Sequence, residues 1–208
     1  MTTRKAPRPW RPSVRPLVAA AALFCAALVL PTPVLAVDVA GVQFPDQVNV
    51  AGKPLRLNGA GVRYKAVFKV YAAGLYVPVK TASAAEATAT DAPKRLSITM
   101  LRDIESAELG KMFSRGMEEN AARGSMTRLL PGIMRMSQIF SDHKKLSAGE
   151  SFQVDWVPGT GAVLIIKGQA VSEPFREPEF FQTLMDIWLG AKPADWKLKE
   201  ALLGKEST

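Results

Sequence analysis

The chain has 208 residues, enough for one domain with a substantial core, and its 48% hydrophobic and 22% charged content is near the globular average. That excludes a disordered or fibrous class. The formal charge of +8 invites a nucleic-acid reading, but five of the 27 basic residues (Arg4, Lys5, Arg8, Arg11, Arg15) fall in the first 36 positions with no acid beside them. The remainder carries 22 basic against 19 acidic groups, so no nucleic-acid partner is expected.

The basic stretch is followed by an apolar run from Leu17 to Leu30, the helix-breaking Pro31-Thr32-Pro33, and Val34-Leu35-Ala36. This pattern predicts a signal peptide over residues 1–36, cleaved after Ala36, ahead of one domain over 37–208. The expected location is periplasmic or secreted. A 14-residue helix spans about 21 Å, short of a ~30 Å hydrocarbon core, so cleavage is expected over anchoring. No transmembrane segment is expected in the mature chain. Cys25, the single cysteine, lies in the apolar run, so the mature domain is expected to have no disulfide, thiol nucleophile or cysteine metal site.

Residues 37–53 alternate (Val39, Val42, Phe44; Val48, Val50) and predict one or two edge strands. Leu55–Lys65 and Val67–Val77 read as strands. Residues 81–93 suit a short helix and loop before a strand over Leu96–Leu101. Residues 106–123 predict a helix, with Leu109, Met112, Phe113, Gly116, Met117 and Asn120 recurring at three- and four-residue steps. A second helix is expected over Leu129–Phe140, with Met134 and Met136 as core gap-fillers.

Ser151–Val157, a Pro158–Gly161 turn and Ala162–Val171 predict a hairpin. Pro178–Leu189 and Pro193–Leu203 predict two helices, each followed by glycine. This order argues for an α+β fold with a mainly antiparallel sheet.

Several chemistries lack their residues. His143, the single histidine, lies in a polar loop, so His-x-x-x-His zinc sites and most acid–base triads are missing. Gly59-Ala60-Gly61 lacks the third glycine and following helix of a nucleotide fingerprint. Lys144-Lys145 and Lys197/Lys199 read as solvated surface. No cofactor or metal is expected.

One pair does suggest chemistry. If the chain turns at Ala66–Phe68, Arg63 lies opposite Tyr71, with Cβ atoms about 5 Å apart. Leu55 and Leu57 share the parity of Arg63, and Ala73, Leu75 and Val77 that of Tyr71, so both polar groups are expected among apolar neighbours. The turn has no Gly, Asn or Pro, and a one-residue slip would put the pair on opposite faces. A buried charge left alone costs several kcal/mol. Either a ligand supplies the anion, or Arg63 pairs internally, for instance with Glu105 or Glu108, or reaches solvent. Phe113 and Asn120 are two helical turns apart on one face. Asn120 is then either bonded to backbone or a donor to a ligand.

Gly59–Arg63, Tyr71–Tyr76, Glu118-Glu119-Asn120, Ile187–Gly190 and Leu198–Gly204, in that order, resemble the chalcone isomerase-like family over about Gly41–Gly204. The last segments resemble its exported bacterial branch. The resemblance implies an open-faced β-sandwich, with a large antiparallel sheet covered by a layer of helices and a cleft between them. In the plant enzymes the cleft binds a chalcone, whose phenolate closes a flavanone ring. Their site arginine matches Arg63 and their helix asparagine matches Asn120.

Two positions depart from the enzymes, which carry threonine at Tyr71 and tyrosine at Phe113. Losing one such transition-state contact costs roughly 3–4 kcal/mol. The arginine–tyrosine pair instead resembles the family's fatty-acid-binding members, where it holds the carboxylate. The resemblance thus implies a ligand site of Arg63, Tyr71, Phe113 and Asn120 for a small amphipathic carboxylate or phenolate, with a fatty acid as the leading example. The alternatives are an isomerase (an intramolecular lyase using Arg63 and Asn120) and an envelope protein-interaction factor whose helices face a partner.

Overall fold

The computed structural model describes residues 36–205 and Thr2. The apolar run, Cys25 and nearly all of the predicted signal peptide lie outside the described residues. Strands β1 (Ala36–Val39) and β2 (Val42–Pro45) form a separate hairpin. Strands β3 (Gln47–Val50), β4 (Lys53–Lys65) and β5 (Phe68–Val77) then make a meander. Helix α1 (Ala84–Thr88) leads to β6 (Lys94–Met100). The short β7 (Ile104–Glu105) precedes α2 (Ser106–Asn120) and α3 (Met126–Ser141), and β8 (Lys145–Leu146) returns to pair with it. Strands β9 (Ser151–Val157), β10 (Gly161–Ile166) and β11 (Gln169–Ala170) are followed by helices α4 (Pro178–Leu189) and α5 (Trp196–Leu202).

The main sheet has seven strands in the order β11-β10-β9-β6-β5-β4-β3, and every neighbouring pair is antiparallel. Helices cover one face, as the α+β order implied. Alternation in β6 turns Leu96, Ile98 and Met100 toward that layer, where they join Leu109, Phe113 and Met117 of α2 in one core. The other face is only partly covered. There Phe44 of the β1–β2 hairpin packs with Leu55, Leu57, Ala72 and Tyr76.

Several boundaries differ from those predicted. The lead-in makes three strands, of which only β3 joins the main sheet. The run Ala162–Val171 is two strands, because Lys167 and Gly168 both adopt positive φ (53° and 80°) and reverse the chain. Pro193 precedes α5 rather than sitting in its first turn. The carboxylate of Asp195 caps that helix by accepting from the Lys197 and Leu198 amides. Met136 is buried as expected, but Met134 is 64% exposed because it falls on the outer side of α3. Lys199 is half-buried and donates to the Gly190 carbonyl oxygen, so it is more than solvated surface.

Two β-bulges set what β4 and β5 present. Asn58 is the extra residue on β4 and Val70 the extra residue on β5. A bulge reverses side-chain parity along its strand. Leu55 and Leu57 therefore face the partly open side, while Gly59, Gly61 and Arg63 face the helices, contrary to the shared parity expected. The Asn58 amide is fixed by bonds to Thr81 O, Thr81 N and Leu202 O at 2.9, 2.7 and 2.7 Å. Gly59 and Gly61 admit α5 close to the sheet, since a Cβ on Gly59 would collide with the Ala201 carbonyl oxygen.

Candidate functional site

Arg63 does stand opposite Tyr71, but by another route than a simple turn at Ala66–Phe68. The hairpin closes through Ala66 and Val67, with Ala66 at φ 54°, and the extra residue Val70 restores the pairing. Both side chains lie under the helical layer. Tyr71 is 2% exposed and Arg63 half-buried.

Among the described residues, Arg63 forms no ion pair. Its Nε is buried without a hydrogen-bond partner. Nη1 approaches the Met112 thioether at 3.8 Å, a weak acceptor, and the guanidinium carbon lies 5.6 Å from the Tyr71 ring centre. Of the candidate partners, Glu105 stands opposite Lys145 in the β7–β8 pair and Glu108 is engaged elsewhere, as is Asp195, which the sequence did not single out. Glu108 meets Lys65 at 3.7 Å on the surface, and the Asp195 carboxylate accepts from the Tyr64 amide at 2.9 Å besides capping α5.

Tyr71 accepts a hydrogen bond from Trp188 Nε1 at 2.7 Å, which leaves its own proton to donate. Burial, with a smaller push from the Asp195 charge, raises its pKa and outweighs the nearby Arg63 charge and the Trp188 bond that pull it down. The group is therefore a neutral phenol at pH 7, a donor suited to an anion.

A cleft of about 320 Å³ opens over this pair. Its apolar wall is Met112, Phe113, Gly116 and Ile187, and its rim carries Lys65 and Lys192. Arg115 is also at the rim but is bound to Glu119 at 2.8 Å. Phe113 forms the floor, with rings of Phe140, Phe152 and Trp188 packed behind it at 4.9, 5.5 and 5.9 Å. The cleft thus ends on a filled aromatic core.

Asn120 is placed differently from the other three. Its amide donates to Gly116 O and Lys192 O, both at 3.0 Å, and accepts from Lys192 N at 2.9 Å. It pins the segment after α4 and does not line the cleft, which is the backbone-bonded alternative. Trp188 and Lys192 had no sequence signal for a role here. Trp188 is 117 positions from the hydroxyl it serves, and only packing of α4 on β5 joins them.

A larger surface hollow of about 520 Å³ lies between α3 and residues 173–177. Its Arg128 is held by Glu179, and its Arg135 by Glu173 O and the Phe175 ring. Arg176, its third arginine, is exposed to solvent, so of the two it is the smaller cleft that holds a buried guanidinium nitrogen without a partner among the described residues. No group of three His, Cys, Asp or Glu side chains suited to a metal occurs among the described residues. No helix among them is long and apolar enough to cross a membrane.

Comparison with known proteins agrees with this architecture. A family model described as chalcone isomerase-like matches residues 36–204. Among solved structures, a fatty-acid binding protein of Arabidopsis thaliana superposes with a TM-score of 0.64 at 16% identity, covering 78% of this chain and 92% of that one. None of the curated proteins matches the sequence.

Proposed function

The chain belongs to the chalcone isomerase-like family, and on that premise we propose that it is a binding protein for a small amphipathic carboxylate. One observation carries the reading: Arg63 is half-buried beside a phenolic donor, and no acid among the described residues forms an ion pair with it. Guanidinium and carboxylate form strong paired hydrogen bonds, and the Tyr71 hydroxyl adds a third donor. The hydrocarbon part lies along Met112, Phe113 and Ile187, where burial contributes about 0.8 kcal/mol per CH₂. The structurally similar plant protein is a fatty-acid binding protein, which supports a fatty acid as the ligand class. The cleft's modest volume favours a short chain, or a longer one that leaves through the mouth. The leader pattern supports export, with cleavage after Ala36.

The ring-closing alternative has less support. Phe113 offers no hydroxyl, and the Asn120 amide is committed to backbone. A rate above buffer in a spectrophotometric chalcone-cyclisation assay would favour it. The binding reading is tested by native mass spectrometry of retained ligands and by titration with decanoate and palmitate. Arg63→Ala is expected to weaken binding at least about tenfold, whereas a Lys144→Ala control keeps it. Equal retention by Arg63→Ala and wild type overturns the proposal.

A further inference from the structure

The tip of the β4–β5 hairpin is exposed and apolar. Val67 is 82% exposed, Phe68 60% and Tyr64 43%. Cations surround it: Lys65 and Lys69 within the hairpin, and Arg102, whose guanidinium carbon sits 5.5 Å from the Phe68 ring centre. No acid occurs between Asp46 and Glu86, a stretch with six basic residues. The acids that reach the tip from other elements are Glu108, beside Lys65, and Asp195, whose carboxylate is occupied by backbone amides.

The shape matters as much as the charge. The two-residue turn Ala66–Val67 carries Val67 beyond the lysines, and Phe68 stands level with Lys65 at the end of the ladder, so the tip is a narrow wedge. Aromatic side chains favour the membrane–water interface, and lysines extend their charge into the headgroup layer. Cations close to an anionic leaflet are attracted within a Debye length. The wedge is also continuous with the cleft, because Lys65 belongs to both and Arg63 is two residues away.

We propose that the β4–β5 tip inserts into the surface of an anionic lipid bilayer and sets the cleft mouth against it. For the carboxylate-binding reading this names the bilayer as the source of the amphiphile. The docking itself needs no bound ligand, so the two can fail separately.

The test uses the chain as exported and processed after Ala36, which has lost Cys25 and the apolar run, so that a single introduced cysteine carries an environment-sensitive NBD label. One variant carries the label at Val67→Cys and a control at Val79→Cys, which is 78% exposed beyond the other end of β5. With phosphatidylglycerol vesicles, the label at 67 is expected to brighten, shift to the blue and be quenched by doxyl lipids. The label at 79 is expected to behave as in buffer. Adding Lys65→Glu and Lys69→Glu, or raising the salt, lowers the apparent vesicle affinity at least about tenfold. The proposal is overturned if the label at 67 stays as in buffer, which would leave the wedge to a protein partner. It is also overturned if phosphatidylcholine vesicles serve equally, or if both labels respond alike.

Discussion

Two arginine–tyrosine pairs cross neighbouring ladders of one sheet. Arg63 stands opposite Tyr71, and Arg95 opposite Tyr76. Arg95, on the partly open face, has a resident acid. Its Nε and Nη2 donate to the two carboxylate oxygens of Asp155, each at 2.6 Å, and that bond pushes the Arg95 pKa up. Arg63, under the helices, forms no ion pair among the described residues. The same residue types in the same cross-strand relation are thus closed in one place and open in the other. A satisfied pair needs nothing from outside, whereas an unsatisfied guanidinium in a cleft gains most from a ligand anion.

The largest expected effect separates the two arginines by stability. Asp155→Ala leaves Arg95 half-buried and unpaired, and should cost about 3 kcal/mol in urea unfolding. Arg63→Ala removes no bonded partner and should cost no more than about 1 kcal/mol, for lost stem packing and the ring contact. Equal losses would mean that Arg63 is a structural residue, and the contrast would disappear.

Asn120→Ala probes the boundary of the open site. It deletes three bonds to backbone and should lower stability by about 2 kcal/mol, while ligand retention per folded molecule stays at the wild-type level. A selective loss of binding with unchanged stability would return Asn120 to the ligand site.

The smallest effect lies at high pH. Burial pushes Tyr76 up to about 12 from its ordinary 10.0, against the lowering effect of Arg95. Below pH 10 the phenol is protonated in both folded and unfolded chains, and its contribution is complete. As pH rises toward 12 the unfolded chain ionises first, so stability falls. By about pH 11 wild type should lose about 1 kcal/mol more than Tyr76→Phe, measured by denaturant titration at each pH. An identical pH dependence in both would show that Tyr76 ionises freely in the folded protein.

Most elements are legible in the sequence because periodicity records which side of a strand or helix is buried. The α2 stripe of Leu109, Phe113 and Met117 and the β6 alternation are cases. Boundaries depart from the pattern where a local device overrides it. The Lys167-Gly168 reversal splits one apolar run into two strands, and the Asp195 cap starts α5 after Pro193. The Arg63–Tyr71 pairing agrees with the sequence reading, and so does the parity of Tyr71 with Ala73, Leu75 and Val77, but the parity of Arg63 with Leu55 and Leu57 does not. Two bulges reverse parity once on each strand, and neither Asn58 nor Val70 announces a bulge in sequence.

Strand and helix order, the family likeness and the facing of Arg63 and Tyr71 rest on local pattern and short spacing, so the amino-acid order alone carries them. Three other facts came only from packing: Arg63 forms no ion pair among the described residues, Trp188 bonds Tyr71, and Asn120 is consumed by the segment after α4. They depend on side chains far apart in the chain. Their meeting is set by how α2, α4 and α5 pack on the sheet, which no periodicity encodes.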